Sequence, residues 1–386
     1  MTSDEGGGAR SEMASSGSGR LPVVHPHVPA MTLYSRVRPL AFTLPAETAH
    51  DLGKRTLRAA QSTWPTRTAL SYAYGYDDPA LEVDLFDTTF PNPVGVAAGF
   101  DKNAEVTHAL AALGFGFVEI GTVTPYPQAG NDRPRLFRLR EDEAMINRMG
   151  FNGQGMERVK SRLEADGTPD IPLGVNVGKM NSSSEREAIE DYRRVFDRLS
   201  PFADYVVVNV SCPNTPDEFD EGSPEHLRTI FETLEAENDR NVPILVKIGP
   251  DEPAESVFDL VDIVQEFDLD GIVATNTSTS RDGLASPRRE EWGGLSGKPL
   301  ADRSTAVIRS LADYTDGDLP IIGVGGVDSA ESAYEKIRAG ASLVQLYTGF
   351  VYQGPSTATR INRGLAALLE RDGFSSVEDA VGADLD

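Results

Sequence analysis

The chain has 386 residues, which at roughly 150 residues per domain allows one large domain or two to three smaller ones. Its 60 Asp and Glu against 36 Lys and Arg leave a net charge of −24, a field that repels phosphate backbones, excludes nucleic acid as a partner and disfavours anionic lipid. A single cysteine, Cys212, rules out an internal disulfide and any CxxC metal site, five scattered His leave no metal centre to expect, and neither a bilayer-spanning apolar run of about 20 residues nor a signal peptide is present.

Residues 1–30 are rich in Gly, Ser and Pro without periodicity, which predicts a disordered leader. Leu33, Val37, Leu40, Ala41 and Leu44 then recur at helical spacing, and a second helix opens at Pro45 with Ala49, Leu52, Leu57 and Ala60 on one face. Residues 31–61 therefore predict a helical hairpin. Residues 62–92 read as a connector, rich in Pro, Asp and Tyr as far as 80.

From residue 93 short β-branched runs alternate with amphipathic stretches. The runs are 93–100, 117–123, 173–178, 205–211, 244–248, 271–276, 321–327 and 343–349; helical candidates include 103–113, 185–199, 253–267, 330–339 and 356–369. Eight strands, each followed by a helix and without a GxGxxG turn after the first, fit an α/β fold of the (β/α)8 TIM barrel type over 93–371 rather than an open sheet. An acidic C-terminal tail, 372–386, follows. Connections 124–147 and 277–301 exceed the usual two to six residues and predict functional loops over the barrel mouth.

In this fold the active site lies at the C-terminal strand ends. Those ends carry Asp101 and Lys102, Thr122, Asn176 and Lys179, Asn209 with Ser211, Cys212 and Asn214, Lys247, Thr275 with Asn276 and Thr277, Gly323 with Gly325 and Gly326, and Tyr347 with Thr348 and Gly349. Amides and hydroxyls dominate, which suits a planar, heteroatom-rich ligand; the paired carboxylates or His dyad of a hydrolase are missing. Lys102 and Lys247 either face an anionic ligand or snorkel to solvent. The turn GVGGVDS (323–329), opening a helix near Ser329, is either a phosphate site or simply tight.

A phosphate-bearing cofactor without a metal points to hydride transfer, which side chains cannot perform and a flavin can; FMN matches one phosphate. Making a carbon–carbon double bond also needs a base, for which Cys212, the lysines and Asp101 are the candidates, with Cys212 in NVSCPNT better placed than a core thiol.

At this point the chain resembles the dihydroorotate dehydrogenases, specifically their membrane-associated, quinone-reducing branch, over roughly 31–371. The motifs are AAGFDKN (97–103), EIGTVTPYPQAGNDRPRLFRL (119–139), NRMGFN (147–152), GVNVGK (174–179), NVSCPNT (209–215), VKIGPD (246–251), ATNTSTSR (274–281), GGLSGKPL (293–300) and IIGVGGVDS (321–329). The resemblance implies that FMN is surrounded by Ala98, Gly99, Phe100, Asp101, Lys102, Thr122, Asn176, Asn209, Lys247, Thr275, Gly297, Gly326, Tyr347 and Thr348. Dihydroorotate, and orotate after it, would be held by Lys102, Asn147, Arg148, Met149, Gly150, Phe151, Asn209, Asn214, Asn276 and Thr277. Orotate is a planar imide bearing a carboxylate, so Asn amides can pair with its edges while Lys102 supplies positive charge.

One departure stands out. The quinone branch carries Ser where this chain has Cys212, the soluble branch that uses fumarate or a nicotinamide carries Cys, and Ser211 is one residue off the position. The hairpin 31–61 and the motif GNDRPRLFRL belong to the quinone branch, in which the two helices form an apolar mouth for the quinone tail. The resemblance therefore implies Cys212 as base, electrons passing from flavin to quinone, and a peripheral enzyme on the cytoplasmic side of the cell membrane, docked through the N-terminal helices.

Only seven of the 36 basic residues are Lys, and an acid-rich, Lys-poor surface suits a strongly saline cytoplasm where ions screen self-repulsion. The melting temperature is accordingly expected to climb as KCl is raised from about 0.1 M to about 2 M, well past the point where the Debye length falls below contact spacing; a flat profile would mark an ordinary acidic enzyme.

Overall fold

The computed structural model describes residues 33–211 and 222–385. The predicted leader 1–30 lies outside them.

Three helices come first among the described residues: α1 (Leu33–Ala41), α2 (Ala46–Gln61) and α3 (Trp64–Tyr74). The first two form the expected hairpin. The third falls in the stretch read as a connector; its apolar residues are split between the core side, Leu70 and Tyr74, and solvent, Trp64 and Tyr72, so it carries no single apolar stripe to read. Its start is set locally, by Thr63 accepting a hydrogen bond from the Thr66 amide (3.4 Å) and by Pro65 in the first turn.

A two-stranded hairpin, Val83–Leu85 with Thr88–Phe90, follows. Its turn residues Phe86 and Asp87 both take positive φ (56° and 53°), the geometry that matches strand twist in a two-residue turn. Phe90 meets Phe117 edge-on at 5.4 Å and Phe86 packs on Tyr205 at 6.0 Å, so this hairpin plugs the N-terminal end of the barrel.

The barrel itself has eight parallel strands in closed order. They are β1 (Val94–Val96), β2 (Phe117–Val123), β3 (Leu173–Val177), β4 (Tyr205–Asn209), β5 (Ile244–Ile248), β6 (Gly271–Ala274), β7 (Ile321–Val324) and β8 (Leu343–Leu346). Several are shorter than the apolar runs, because residues such as Ala97–Phe100 and Thr275–Asn276 leave the ladder at the C-terminal end and turn over the cavity. The barrel and its outer helices share one continuous apolar core. The helix over 185–199 ends where expected, started by a capping box between Ser184 and Glu187.

The two long connections pair with each other. Leu136–Leu139, Ala144–Asn147 and Gly294–Gly297 form an antiparallel sheet above the mouth, with its own small core of Phe137, Leu139, Ala144, Ile146, Leu284 and Leu295. The basic residues of the RPRLFRLR run fasten the α1–α2 hairpin to this sheet. Arg133 and Arg135 both pair with Glu47 (2.9 and 2.8 Å), while Arg138 and Arg140 donate to the carbonyls of Leu44 and Phe42. The C-terminal residues are pinned rather than loose: Val377 and Ala380 are buried and the Val377 amide donates to Ala80 O at 2.7 Å.

Candidate active site

A cavity of about 1270 Å³, open mouth included, lies at the C-terminal end of the barrel beneath the three-stranded sheet.

Most of the expected residues meet there. Ala98, Gly99 and Lys102 come from the end of β1, Thr122 from β2, Asn209 from β4, Lys247 from β5, Thr275, Asn276 and Thr277 from β6, Gly326 from β7, and Tyr347 and Thr348 from β8. Asn147, Met149, Gly150, Phe151 and Gly297 arrive from the sheet above. Four expected residues do not line the cavity. The Asp101 carboxylate faces away, accepting from the amides of Glu105 (2.9 Å) and Val106 (2.7 Å) and pairing with Lys54 at 3.4 Å. The Phe100 ring packs on His50, Tyr347 and Phe350. Arg148 is held by Glu291 (2.8 Å) and by the rings of Phe137 and Trp292. Asn176 sits one layer down, with its amide buried inside the barrel. Cys212 and Asn214 lie outside the described residues.

Under the cavity the amides form a connected network. Thr122 Oγ1 donates to Asn176 Oδ1 (2.5 Å) and accepts from Asn209 Nδ2 (2.9 Å), and Asn276 Nδ2 donates to Asn209 Oδ1 (3.3 Å) and to the Ser211 carbonyl (3.1 Å). Below it, Glu119 accepts from Asn176 Nδ2 (2.9 Å) and Gln345 Nε2 (2.7 Å) and lies 3.8 Å from Lys247 Nζ. Neither Glu119 nor Gln345 was singled out from the sequence. The available signal was a charge in the run FVEIGTV and an amide in LVQL, where every other side chain is apolar or small.

Glycines shape the end of the cavity formed by β7 and β8. A Cβ on Gly297 (φ 104°) would lie 2.6 Å from Glu143 O, and one on Gly326 (φ 74°) would lie 2.4 Å from the Ala301 backbone, so only bare backbone fits. At the helix opening at Ser329, Ser332 Oγ accepts from the amides of Asp328 and Ser329, and Ser329 Oγ from that of Ser332. Gly325–Val327 and Thr348–Gly349 line the cavity directly, and the first amides of the short helix Thr348–Gln353 have no intrahelical acceptor. Bare amides there, with Lys247 toward the barrel axis, fit a phosphate-bearing flavin.

On the hairpin side the cavity adjoins a second one, between α2 and the barrel, lined by Glu47, His50, Asp51, Lys54, Arg58 and Tyr347 among others. The mouth expected to be apolar is therefore two-sided: Phe42, Leu136, Met145 and Tyr352 form an apolar cluster with Ala41, Ala46 and Met149 against it, while α2 contributes charges. Burial raises the Tyr347 phenol above its ordinary range. Burial, then the ammonium groups of Lys54 and Lys102, lower His50 from 6.5 to about 4. His50 thus stays neutral in the fold down to about pH 4 while the unfolded chain takes a proton near 6.5, so stability rises with pH across that window and is lost as pH falls through it. In urea titrations His50→Gln is expected to flatten that segment of the stability curve; an unchanged slope would refute the assignment.

A closed (β/α)8 barrel whose strand ends and overlying sheet enclose a cavity lined by amides, hydroxyls, glycines and lysines is the architecture of a barrel enzyme with its site at the C-terminal rim. A family model described as dihydroorotate dehydrogenase matches residues 80–369. Proteins named dihydroorotate dehydrogenase (quinone) from Natronomonas pharaonis and Halobacterium salinarum are 54% and 52% identical, each match spanning 92% of this chain and 100% of the relative. One from Mycobacterium tuberculosis is 46% identical over 91% of this chain and 98% of its own. A crystal structure of DHODH from Eimeria tenella in complex with ferulenol superposes with a TM-score of 0.81 at 37% identity, over 90% of this chain and 99% of that one. The chain belongs to the dihydroorotate dehydrogenase family.

Proposed function

We propose that this protein oxidises (S)-dihydroorotate to orotate in pyrimidine (UMP) biosynthesis, using FMN, and delivers the electrons to a quinone. The observation that carries the reading is a single cavity with a glycine cradle at β7 and β8, a network of amides across its floor, and lysines on two sides. When bound, FMN supplies the two-electron acceptor between dihydroorotate and quinone. Gly297, Gly326, Thr348 and neighbouring backbone amides hold its phosphate end, and Lys247, Thr122 and Asn209 face its ring.

Lys102, fixed by donating to Asn152 Oδ1 at 2.6 Å, meets the substrate carboxylate. Asn147, Asn209 and Asn276, with Asn214, pair with the imide edges and hold C5 toward the base. Cys212 takes the C5 proton as a thiolate, a far better base near neutral pH than the alkoxide a Ser would have to supply. The sheet above the mouth keeps water from the reacting carbons.

The quinone enters between the hairpin and the barrel, past Phe42, Leu136 and Tyr352. What favours this acceptor is the set of arginines that fasten the hairpin beside the cavity, since a fumarate- or nicotinamide-using enzyme has no use for such an entrance. Val37, Leu40, Leu44 and Leu52 are exposed at 47%, 72%, 38% and 54% and form the face that rests on the cytoplasmic side of the membrane; among the described residues no helix is long and apolar enough to cross it.

The reading is tested with purified protein. It should be yellow, bleach when dihydroorotate is added, and turn over with a short-chain quinone but not with fumarate or NAD. A colourless protein, or one that dihydroorotate does not bleach, overturns the enzyme; turnover with fumarate alone overturns the quinone. Mixed with neutral lipid vesicles, the protein should sediment with them, and complete recovery in the supernatant would remove the membrane face.

A further inference from the structure

We propose that Glu119 is a positioning residue that sets the two-electron potential of the bound flavin, acting through Lys247. The inference rests on the flavin reading above and adds a residue which that reading does not use.

Glu119 lies in the middle of β2 and is fully buried, as are Asn176 and Gln345, its hydrogen-bonding partners on β3 and β8. A carboxylate inside a barrel is costly unless it is paired and hydrogen-bonded. Here both oxygens accept: Oε1 from Asn176 and Oε2 from Gln345, with the Lys247 ammonium 3.8 Å from Oε1. Glu119 does not line the cavity and Lys247 does. The lysine therefore has the carboxylate on its inner side and the ligand space on its outer side.

Two consequences follow from this stacking. The carboxylate holds the ammonium at one end of its reach, and it cancels part of the positive charge that a ring in the cavity experiences, in surroundings where water screens little. In turnover, dihydroorotate loses the C6 hydrogen with its electron pair and the C5 hydrogen as a proton, and the quinone ends with two electrons and two protons. A flavin bound in the cavity would carry two additional electrons between those events, with Lys247 in the cavity wall to stabilise them. A fully uncompensated lysine would hold them too well, which speeds the first transfer and slows the second. Glu119 moderates that attraction.

The isosteric Glu119→Gln removes the charge and keeps the shape. The new amide also finds an acceptor, because Gln345 Oε1 is buried without a hydrogen-bond partner and a half-turn of the Gln345 amide presents that oxygen. The flavin midpoint potential of the holoenzyme, measured by reductive titration against a reference dye, is expected to rise in E119Q by about tenfold in the reduction equilibrium, about 30 mV for a two-electron couple. Affinity of the apoprotein for oxidised FMN, followed by flavin fluorescence, should change less than about threefold, since the phosphate cradle lies elsewhere. In Glu119→Asp the carboxylate is withdrawn but retained, so its potential should fall between wild type and E119Q, and this variant carries the test alone should E119Q fail to fold.

A merely structural role predicts a lower melting temperature with an unmoved potential. A potential that stays put or drops in a yellow, well-folded variant overturns the inference and leaves the flavin reading intact. A colourless wild type overturns both.

Discussion

Replacing Cys212 with alanine is expected to slow reduction of the flavin by dihydroorotate about 10²- to 10⁴-fold, the range a positioned general base contributes, while orotate still binds. Rapid mixing of holoenzyme with dihydroorotate reads the first quantity and orotate-induced perturbation of the flavin spectrum the second. Ser211 cannot stand in. Its hydroxyl proton is committed to the Lys247 carbonyl at 2.8 Å, and its oxygen lies within reach of Asn276 Nδ2 (3.3 Å). Below the thiol's reference value of about 8.5 the wild-type rate should increase with pH as the thiolate fraction grows. Cys212→Ser should move that rise to more alkaline pH, because a hydroxyl releases its proton far less readily. An alanine variant that bleaches at the wild-type rate would return Cys212 to the status of an ordinary thiol.

Lys102→Met should weaken dihydroorotate by about 2–4 kcal/mol, roughly 30- to 700-fold in KM, because it leaves the substrate carboxylate in the cavity without its cation. The loss should fall on KM more than on FMN content, since Lys102 is fastened to Asn152 at the substrate side and the cradle glycines lie across the barrel. A variant with normal KM and depleted flavin would place Lys102 on the cofactor instead. The same change also removes one of the two ammonium groups that lower His50, so the acid limb of the stability curve should become shallower in this variant too.

Much of this was legible in one dimension. The alternation of β-branched runs with amphipathic stretches is a direct record of parallel strands buried on both faces, and it set the barrel. The strand ends then collected Thr122, Asn209, Lys247, Asn276 and Thr348 without any three-dimensional information, because this topology sends every such end to the same rim. The unread elements are those without a periodic stripe. Helix α3 divides its apolar residues between core and solvent and begins on a capping threonine, and the short strands over the mouth alternate too briefly to separate from loop.

What no reading along the chain could supply is direction. Phe100, Asp101 and Arg148 neighbour cavity residues in sequence, yet their side chains turn to His50, to the Glu105 and Val106 amides, and to Glu291. Ser329 opens its helix as predicted, and the Ser332 hydroxyl turns back to accept from the Asp328 and Ser329 amides. Glu119 stands unmarked in an apolar run, and only the fold brings it to 3.8 Å from Lys247, 128 residues further along.

By itself, the sequence determined the barrel, the hairpin, the acidic exterior and the types of residue at the rim, because hydrophobic periodicity, turn chemistry and composition are local properties of the chain. The tertiary structure decided which of those rim residues face the cavity, that the RPRLFRLR arginines bind the hairpin to the mouth, and that a buried carboxylate stands behind Lys247. Those outcomes depend on contacts between segments far apart in the chain, where a side chain takes whichever partner satisfies its charge or hydrogen bonds at least desolvation cost.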